Sequence, residues 1–280
     1  MITTLGKKML LIGGVVASLM TGNLLAAEKP PVLPDALWLK ADEGVTLRQS
    51  DKILLWANRV ADNKPFHGIG DTASENCGKL VGDALNGKPV VSFNNTYMIS
   101  DFSFAQWPAV TNIFGAGGTV FMVLKPEASV TTFSKRLLNT CGTGQAGWEL
   151  IYNQASEKME FIQWFGGAQC GDWQSDGVFK KGAYHLLTLA YDNRAIANDP
   201  SFYLNGRQVA ISYDKNPESG VAAGEISGNM WMVTRAYARG PEDFSGNIAE
   251  IMIYRRILTD SERRGVEVYL ADKYGLEVAR

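Results

Sequence analysis

FSGNIAEIMIYRRILTDSERRGVEVYLADKYGL, residues 244–276, holds two structural elements back to back. The first, ending near Tyr254, is an apolar and β-branched run with one carboxylate, Glu250, in its middle. Alternation puts Ile248, Glu250, Met252 and Tyr254 on one strand face and Ala249, Ile251 and Ile253 on the other. Both faces are apolar, so the strand reads as buried on both sides. A lone carboxylate there is costly unless donors surround it. The second element is a helix over about 260–274 with its start and stop written in. Thr259-Asp260-Ser261-Glu262 has the form of a capping box. Val266, Tyr269, Leu270 and Tyr274 follow at helical spacing, and Gly275 stands where a left-handed residue ends a helix.

Upstream, short β-like segments recur. ALWLKADEGV (36–45) is the first, followed by a short amphipathic stretch, SDKILLWANRVAD (50–62). Residues 63–88, rich in Gly, Asn and Asp, read as a long loop containing Cys77. PVVSFNNTYMIS (89–100), GTVFMVLKPE (118–127), TTFSKRLLN (131–139), GWELIYN (147–153) and KMEFIQWFG (158–166) come next. AYHLLTLAYD (183–192), SFYLNGRQVAIS (201–212) and NMWMVTRAY (229–237) complete the series. Such segments, separated by Gly, Asn, Asp and Pro, mark an all-β sandwich or jelly roll. Asn205-Gly206 is a strong hairpin signal, because a type I′ turn needs positive φ at both central residues. The polar stretch 153–157 joins a second hairpin, and with no internal repeat the chain after its leader (28–280) reads as one domain.

The leader is residues 1–27. Lys7 and Lys8 precede an apolar run from Met9 to about Met20, and Ala26-Ala27 stand before Glu28-Lys29-Pro30-Pro31. The run is shorter than the roughly 20 residues of a membrane span, so it reads as a secretory signal peptide. The expected location is secreted, periplasmic or cell-surface, with no transmembrane span after cleavage. With 27 basic and 29 acidic residues and no basic stripe, the chain offers no electrostatic case for nucleic acid. An oxidising compartment makes one disulfide reasonable among Cys77, Cys141 and Cys170. The 147–153/158–166 hairpin brings Cys141 and Cys170 to one end of the sandwich, so these two are expected to pair, leaving Cys77 free. Two histidines, His67 and His185, are too few for an imidazole-rich metal centre. His185, inside a strand pattern, reads as structural.

The order of LWLKADEGV, LNGKPVVSFNNTYM, TVFMVLKPE, YHLLTLAYD, FYLNGRQVA and the closing strand–helix unit resembles the concanavalin A-like lectin/glucanase superfamily. More narrowly, it is similar to the laminin-G-like jelly rolls of secreted bacterial proteins, over nearly all of residues 35–276. The resemblance implies a two-sheet antiparallel jelly-roll sandwich with a short C-terminal α-helix. It also implies that Glu250, a feature of such domains whatever their ligands, braces the sheet; Arg255, Arg256 or a residue of the N-terminal strand would pair with it.

The catalytic patterns of the superfamily are missing. Its glucanases carry Glu-x-Asp-x-x-Glu on one strand, which has no counterpart here. Glu149 and Glu160 are candidate cross-strand neighbours without a third acid beside them, since Asp172 and Asp176 fall in a Gly-rich segment read as a loop. Its alginate lyases use Gln-x-His and Tyr-x-Lys strands; here Gln163 is followed by Trp164 and Phe165, and Tyr213-Asp214-Lys215 reads as a turn. No catalytic residue is assigned, and the resemblance implies a binding module whose expected partner is a glycan or an extracellular, cell-surface protein, the alternatives being a structural surface or assembly subunit and a polysaccharide-cleaving enzyme on the same fold. Most aromatics of 148–173 read as core, but Trp173, in the polar stretch GGAQCGDWQSDG (166–177), reads as exposed. Asp172, Trp173, Gln174 and Asp176, with Trp164, are therefore the candidate ligand contacts. Asp192, Asn193, Asn198 and Asp199 flank one short loop and are candidate calcium ligands, calcium being a cofactor that the resemblance allows.

Overall fold

The computed structural model describes residues 29–60, 65–68, 77–94, 96–103, 106–107, 112–127, 135–141, 146–166, 169–222, 229–232 and 244–279. The leader lies outside these residues. The strands are β1 (Leu37–Lys40), β2 (Val45–Gln49), β3 (Lys52–Trp56), β4 (Phe66–Gly68), β5 (Lys79–Leu85), β6 (Lys88–Asn94) and β7 (Met98–Ser103). They continue as β8 (Gly118–Pro126), β9 (Lys135–Asn139), β10 (Trp148–Asn153), β11 (Lys158–Trp164), β12 (Cys170–Val178) and β13 (His185–Tyr191). The last are β14 (Ser201–Leu204), β15 (Arg207–Val209), β16 (Ile211–Lys215), β17 (Asn229–Met232) and β18 (Ser245–Tyr254), followed by helix α1 (Asp260–Tyr274).

These strands form two antiparallel sheets. In the first the order is β15-β14-β13-β8-β18, and the far edge of β18 is shared by β6, which leads to β5, and by β1. In the second the order is β4-β7-β17-β9-β10-β11-β12-β16. The hairpin β2-β3 joins the two through β4 and β5. Between the sheets lies a core that includes Met122, Leu124, Leu187 and Ile251 from the first and Leu138, Trp148, Phe161 and Trp173 from the second. Each fully buried side chain of this kind contributes about 1.5–3 kcal/mol.

The closing unit differs from simple alternation at one point. A bulge between Ile248 and Glu250 shifts the register of β18 against β8. Ile248 therefore enters the core between the sheets, while Ala249 joins Met252 and Tyr254 beneath α1. A second apolar layer forms there, with Phe121, Val123 and Leu186 packed under Val266, Leu270 and Tyr274. Thr259 and Glu262 make the reciprocal capping box, and Gly275, at φ 65°, closes the helix in the left-handed region.

Glu250 is 1% exposed and faces three donors. Trp38 Nε1 donates to Oε1 at 2.6 Å, while Lys273 Nζ at 2.6 Å and Tyr274 Oη at 2.8 Å donate to Oε2. Lys273 also reaches Asp42 at 3.0 Å. The N-terminal strand does supply a partner, but Arg255 and Arg256 do not: they pair with Asp35 and Glu262 at the surface. The cation comes instead from the last turn of α1, where helix spacing delivers Lys273 and Tyr274 together.

Two further readings are corrected. Residues 63–88 are not one loop, because β4 and β5 lie within them. Asn86 and Gly87, at φ 50° and 71°, make the tight turn between β5 and β6, a second Asn-Gly hairpin. Tyr213-Asp214-Lys215 is not a turn but the end of β16, paired along β12.

Candidate functional site

The outer face of the first sheet is covered by α1. The outer face of the second sheet carries polar side chains in rows. The register aligns Glu149, Ile162, Asp172 and Lys215 across β10, β11, β12 and β16. The next row is Ile151, Glu160, Gln174 and Tyr213, with Arg136 of β9 opposite Ile151. Alternation produces this arrangement. On β11, Met159, Phe161 and Gln163 point inward, leaving Glu160, Ile162 and Trp164 outward. On β12, Gly171, Trp173, Ser175 and Gly177 are inward, leaving Asp172, Gln174 and Asp176 outward.

The Gly content of β12 reflects packing, not a loop. A Cβ on Gly171 would lie 1.9 Å from the Trp173 ring, which lies over that backbone. Trp173 stacks at 6.0 Å on Phe161 and packs at 5.2 Å against Tyr191. It is 0% exposed, so the reading of Trp173 as an exposed ligand contact is wrong. The same strand carries Asp172, which supplies the third acid that Glu149 and Glu160 lack in the linear reading.

The three acids differ in state. Glu149, 2% exposed, is ion-paired with the buried guanidinium of Arg136. Glu160 is pushed up to about 7, first by burial and then by the negative charge of Asp172, against a lowering hydrogen bond from Asn153. Asp172 is also raised, chiefly by burial, with Lys215 pulling the other way. Asp172 Oδ1 and Trp164 Nε1 are buried atoms without a hydrogen-bond partner among the described residues, and so is Asn139 Nδ2 at the end of the Glu149 row. Tyr213, half exposed, stands beside Gln174. The face thus offers acceptors, donors and a ring within two rows. A sugar hydroxyl, which donates and accepts at once, meets both needs.

The comparisons with known proteins agree with this architecture. A laminin G family profile, described as Concanavalin A-like lectin/glucanases superfamily, matches residues 89–262. The chain belongs to this superfamily. Among solved structures, Trypanosoma rangeli sialidase in complex with 2,3-difluoro-KDN has a TM-score of 0.54 at 15% identity, over 85% of this chain and 33% of that one. The receptor-binding domain of botulinum neurotoxin mosaic serotype C/D has a TM-score of 0.56 at 10% identity, over 84% and 50%. The botulinum neurotoxin serotype D binding domain in complex with N-acetylneuraminic acid has a TM-score of 0.54 at 10% identity, over the same shares. The chain therefore spans about a third of the sialidase and half of the toxin domains, and at these identities the likeness speaks for the fold alone. No curated protein matches.

On this concanavalin A-like frame the remaining candidates separate. Asp172, Gln174 and Trp164 share the outer face; Asp176 lies further along β12, exposed and ion-paired with Lys158 at 2.9 Å. The expected Cys141–Cys170 disulfide is not formed: Cys77, Cys141 and Cys170 are all thiols. Cys141 follows β9 and Cys170 opens β12, so the two do sit at one end, but β10 and β11 lie between. Three strand spacings amount to roughly 14 Å, twice the reach of a disulfide.

The four calcium candidates lie together after β13, but their side chains have other partners. Asp192 holds Arg194, and Asn198 Nδ2 donates to the Asp192 carbonyl. Asn193 Nδ2 donates to Asn112 and Gln163, and Asp199 Oδ1 accepts from Trp173 and Asn216. Among the described residues no three His, Cys, Asp or Glu side chains gather as a metal group. His185, 7% exposed, bonds the Lys180 carbonyl at 3.0 Å, and burial lowers its basicity. Four residues of the face, Arg136, Glu160, Tyr213 and Lys215, were not singled out as contacts by sequence. The available signal was the period of two through 158–164, which turns Glu160 outward, and through 170–178, which would have placed β12 beside β11 but is masked by its glycines.

Proposed function

We propose that this chain is an exported, non-catalytic binding module that recognises a glycan on the outer face of its second sheet. The observation that carries the reading is the set of buried polar atoms left without partners on that face, Asp172 Oδ1 and Trp164 Nε1, bordered by Gln174 and the Tyr213 ring. Unpartnered buried polar atoms are costly, so a surface that keeps them is suited to a ligand that supplies the missing hydrogen bonds. Export rests on the leader pattern of residues 1–27.

The sialidase and the serotype D toxin domain named above are in complex with 2,3-difluoro-KDN and N-acetylneuraminic acid, which lends weight to a glycan ligand. The local charge points to a neutral sugar: Glu149, Glu160 and Asp172 outnumber Arg136 and Lys215, disfavouring a sialic acid carboxylate. A glycan array with the secreted chain, followed by calorimetry on Asp172→Asn and Trp164→Phe, tests this. Each substitution is expected to weaken binding about tenfold with folding intact. Unchanged affinity in both, or no glycan bound, leaves a protein partner as the alternative.

One observation favours a second reading, cleavage of a polysaccharide. Glu160 and Asp172 are diagonal neighbours on adjacent strands, about 7–8 Å apart by sheet geometry. Backbone positions at that spacing let two outward carboxyl groups reach the separation of an inverting acid–base pair, and Glu160, held at about 7, has the protonation of a general acid. Mass spectrometry of bound oligosaccharides distinguishes the two: shortened products that disappear in Glu160→Gln establish cleavage.

A further inference from the structure

On the other side of the sandwich, a cavity of about 420 Å³ opens between α1, the start of β14 and the segment after β13. Its wall includes Tyr191, Asp199, Ser201, Tyr203, Asp260 and Arg263. Two buried donors in this wall have no acceptor among the described residues. The hydroxyl of Tyr191, a residue 1% exposed, is one; Nε of Arg263, 5% exposed, is the other. The Tyr191 phenol is raised mainly by burial and then by the charges of Asp199 and Asp192, which line the same cavity. The charge of Arg263 is already matched within the fold, since Nη1 donates to Glu267 at 2.6 Å and the guanidinium lies 4.0 Å over the Tyr203 ring. Asp192 is likewise matched by Arg194. Asp260 is itself 3.4 Å from Arg263 Nη2, yet the mouth stays net negative, because Asp192, Asp199, Asp260 and Glu267 are met only by Arg194 and Arg263.

We infer that this cavity binds a monosaccharide-sized ligand carrying a primary ammonium group, an unacetylated amino sugar, independently of the glycan face. The ammonium pairs at the mouth with Asp260 and with Asp199 Oδ2, since Trp173 and Asn216 both bond Oδ1, and ring hydroxyl oxygens accept from Tyr191 and Arg263. The size is right for one pyranose ring, near the lower end of small-ligand pockets. A bare metal ion does not fit the same description. It leaves both buried donors without acceptors and most of the volume unfilled, and no metal-type cluster of His, Cys, Asp or Glu is present among the described residues.

Trp173 supplies a reporter, because its Nε1 donates to Asp199 Oδ1 at 3.2 Å. The full chain is titrated with glucosamine, N-acetylglucosamine, glucose and calcium chloride, following tryptophan fluorescence and heat. Glucosamine is expected to bind saturably, with glucose and N-acetylglucosamine at least about tenfold weaker, as loss of a charge-assisted hydrogen bond requires. Asp199→Asn and Asp260→Asn, both at exposed positions, should each weaken glucosamine binding by about fivefold or more, and Tyr191→Phe by a smaller factor. Asp172→Asn, on the opposite sheet, should leave it unchanged. Equal binding of the three sugars, no saturable glucosamine binding, displacement of glucosamine by calcium, or loss of binding in Asp172→Asn would each overturn the assignment.

Discussion

Replacing Glu160 with Gln tests the electrostatics of the sheet face directly. The carboxyl is raised from 4.5 to about 7 in the folded chain, chiefly by burial and by Asp172. In the unfolded chain it returns to about 4.3. Below the unfolded value both states hold the proton and nothing depends on pH. Between the two values the unfolded state has released its proton while the folded state keeps it, so stability falls as pH rises. Above about 7 the folded carboxylate ionises too, and the loss levels off. The interval corresponds to about 4 kcal/mol. A glutamine amide does not titrate and keeps a similar shape, so the variant should gain on the parent by up to that amount between about pH 4 and pH 8. Urea denaturation of both proteins at several pH values between these limits gives the difference, in which most other titrating groups cancel. A difference that stays flat with pH refutes the reasoning. A parent that gains on the variant as pH rises would mean that Arg136 dominates and Glu160 is held ionised.

Other substitutions probe the frame. Glu250→Gln replaces an acceptor of three hydrogen bonds and leaves Lys273, a buried residue, with Asp42 alone; about 3 kcal/mol should be lost in denaturant unfolding, with glycan affinity unchanged. Gly171→Ala places a Cβ against the Trp173 ring and should cost about 1–3 kcal/mol, with a shift in the near-ultraviolet dichroism of the aromatic cluster. Thr259→Ala removes the side-chain acceptor for the Glu262 amide, and a loss of about 1 kcal/mol in thermal unfolding is expected.

The closing strand and helix were legible in sequence because their determinants are local. The capping box, the Gly275 stop and the helical spacing of Val266, Leu270 and Tyr274 all act within a few residues. The bulge beside Glu250 was not, because it is a property of pairing with β8, not of β18 alone. Trp173 was misplaced for a related reason. Gly, Asp, Gln and Ser around it read as loop chemistry, yet each glycine or serine is an inward position made small by the side chains packed beside it. The cysteine pairing failed because two points at the same end of a sheet can still be several strands apart, and strand order lies outside what hairpin signals convey. The partners of Glu250 were only half readable: the N-terminal strand follows from the β1–β18 pairing, whereas Lys273 depends on how α1 crosses the sheet.

The buried acids of this fold show how support is distinguished from recognition. Glu250 has three donors, Glu267 has Arg263 and Thr188, and Glu149 has Arg136. Each removes a desolvation penalty by pairing within the chain, and each ties one element to another: β18 to α1, α1 to β13, β10 to β9. Burial alone therefore does not mark a functional acid in this protein, and Glu250, the most conspicuous in sequence, is the most fully satisfied. Asp172 lies at the other extreme. One of its oxygens is buried without a donor among the described residues, its neighbour Glu160 is raised by the charge it carries, and an unpartnered donor, on Trp164, belongs to the adjacent strand. Nothing in the sheet's own stability calls for that arrangement, since a Ser or Asn at the same outward position would avoid the repulsion. An acid that the fold does not satisfy is the place where a ligand gains most, and on this ground Asp172, not Glu250, is the carboxylate to follow.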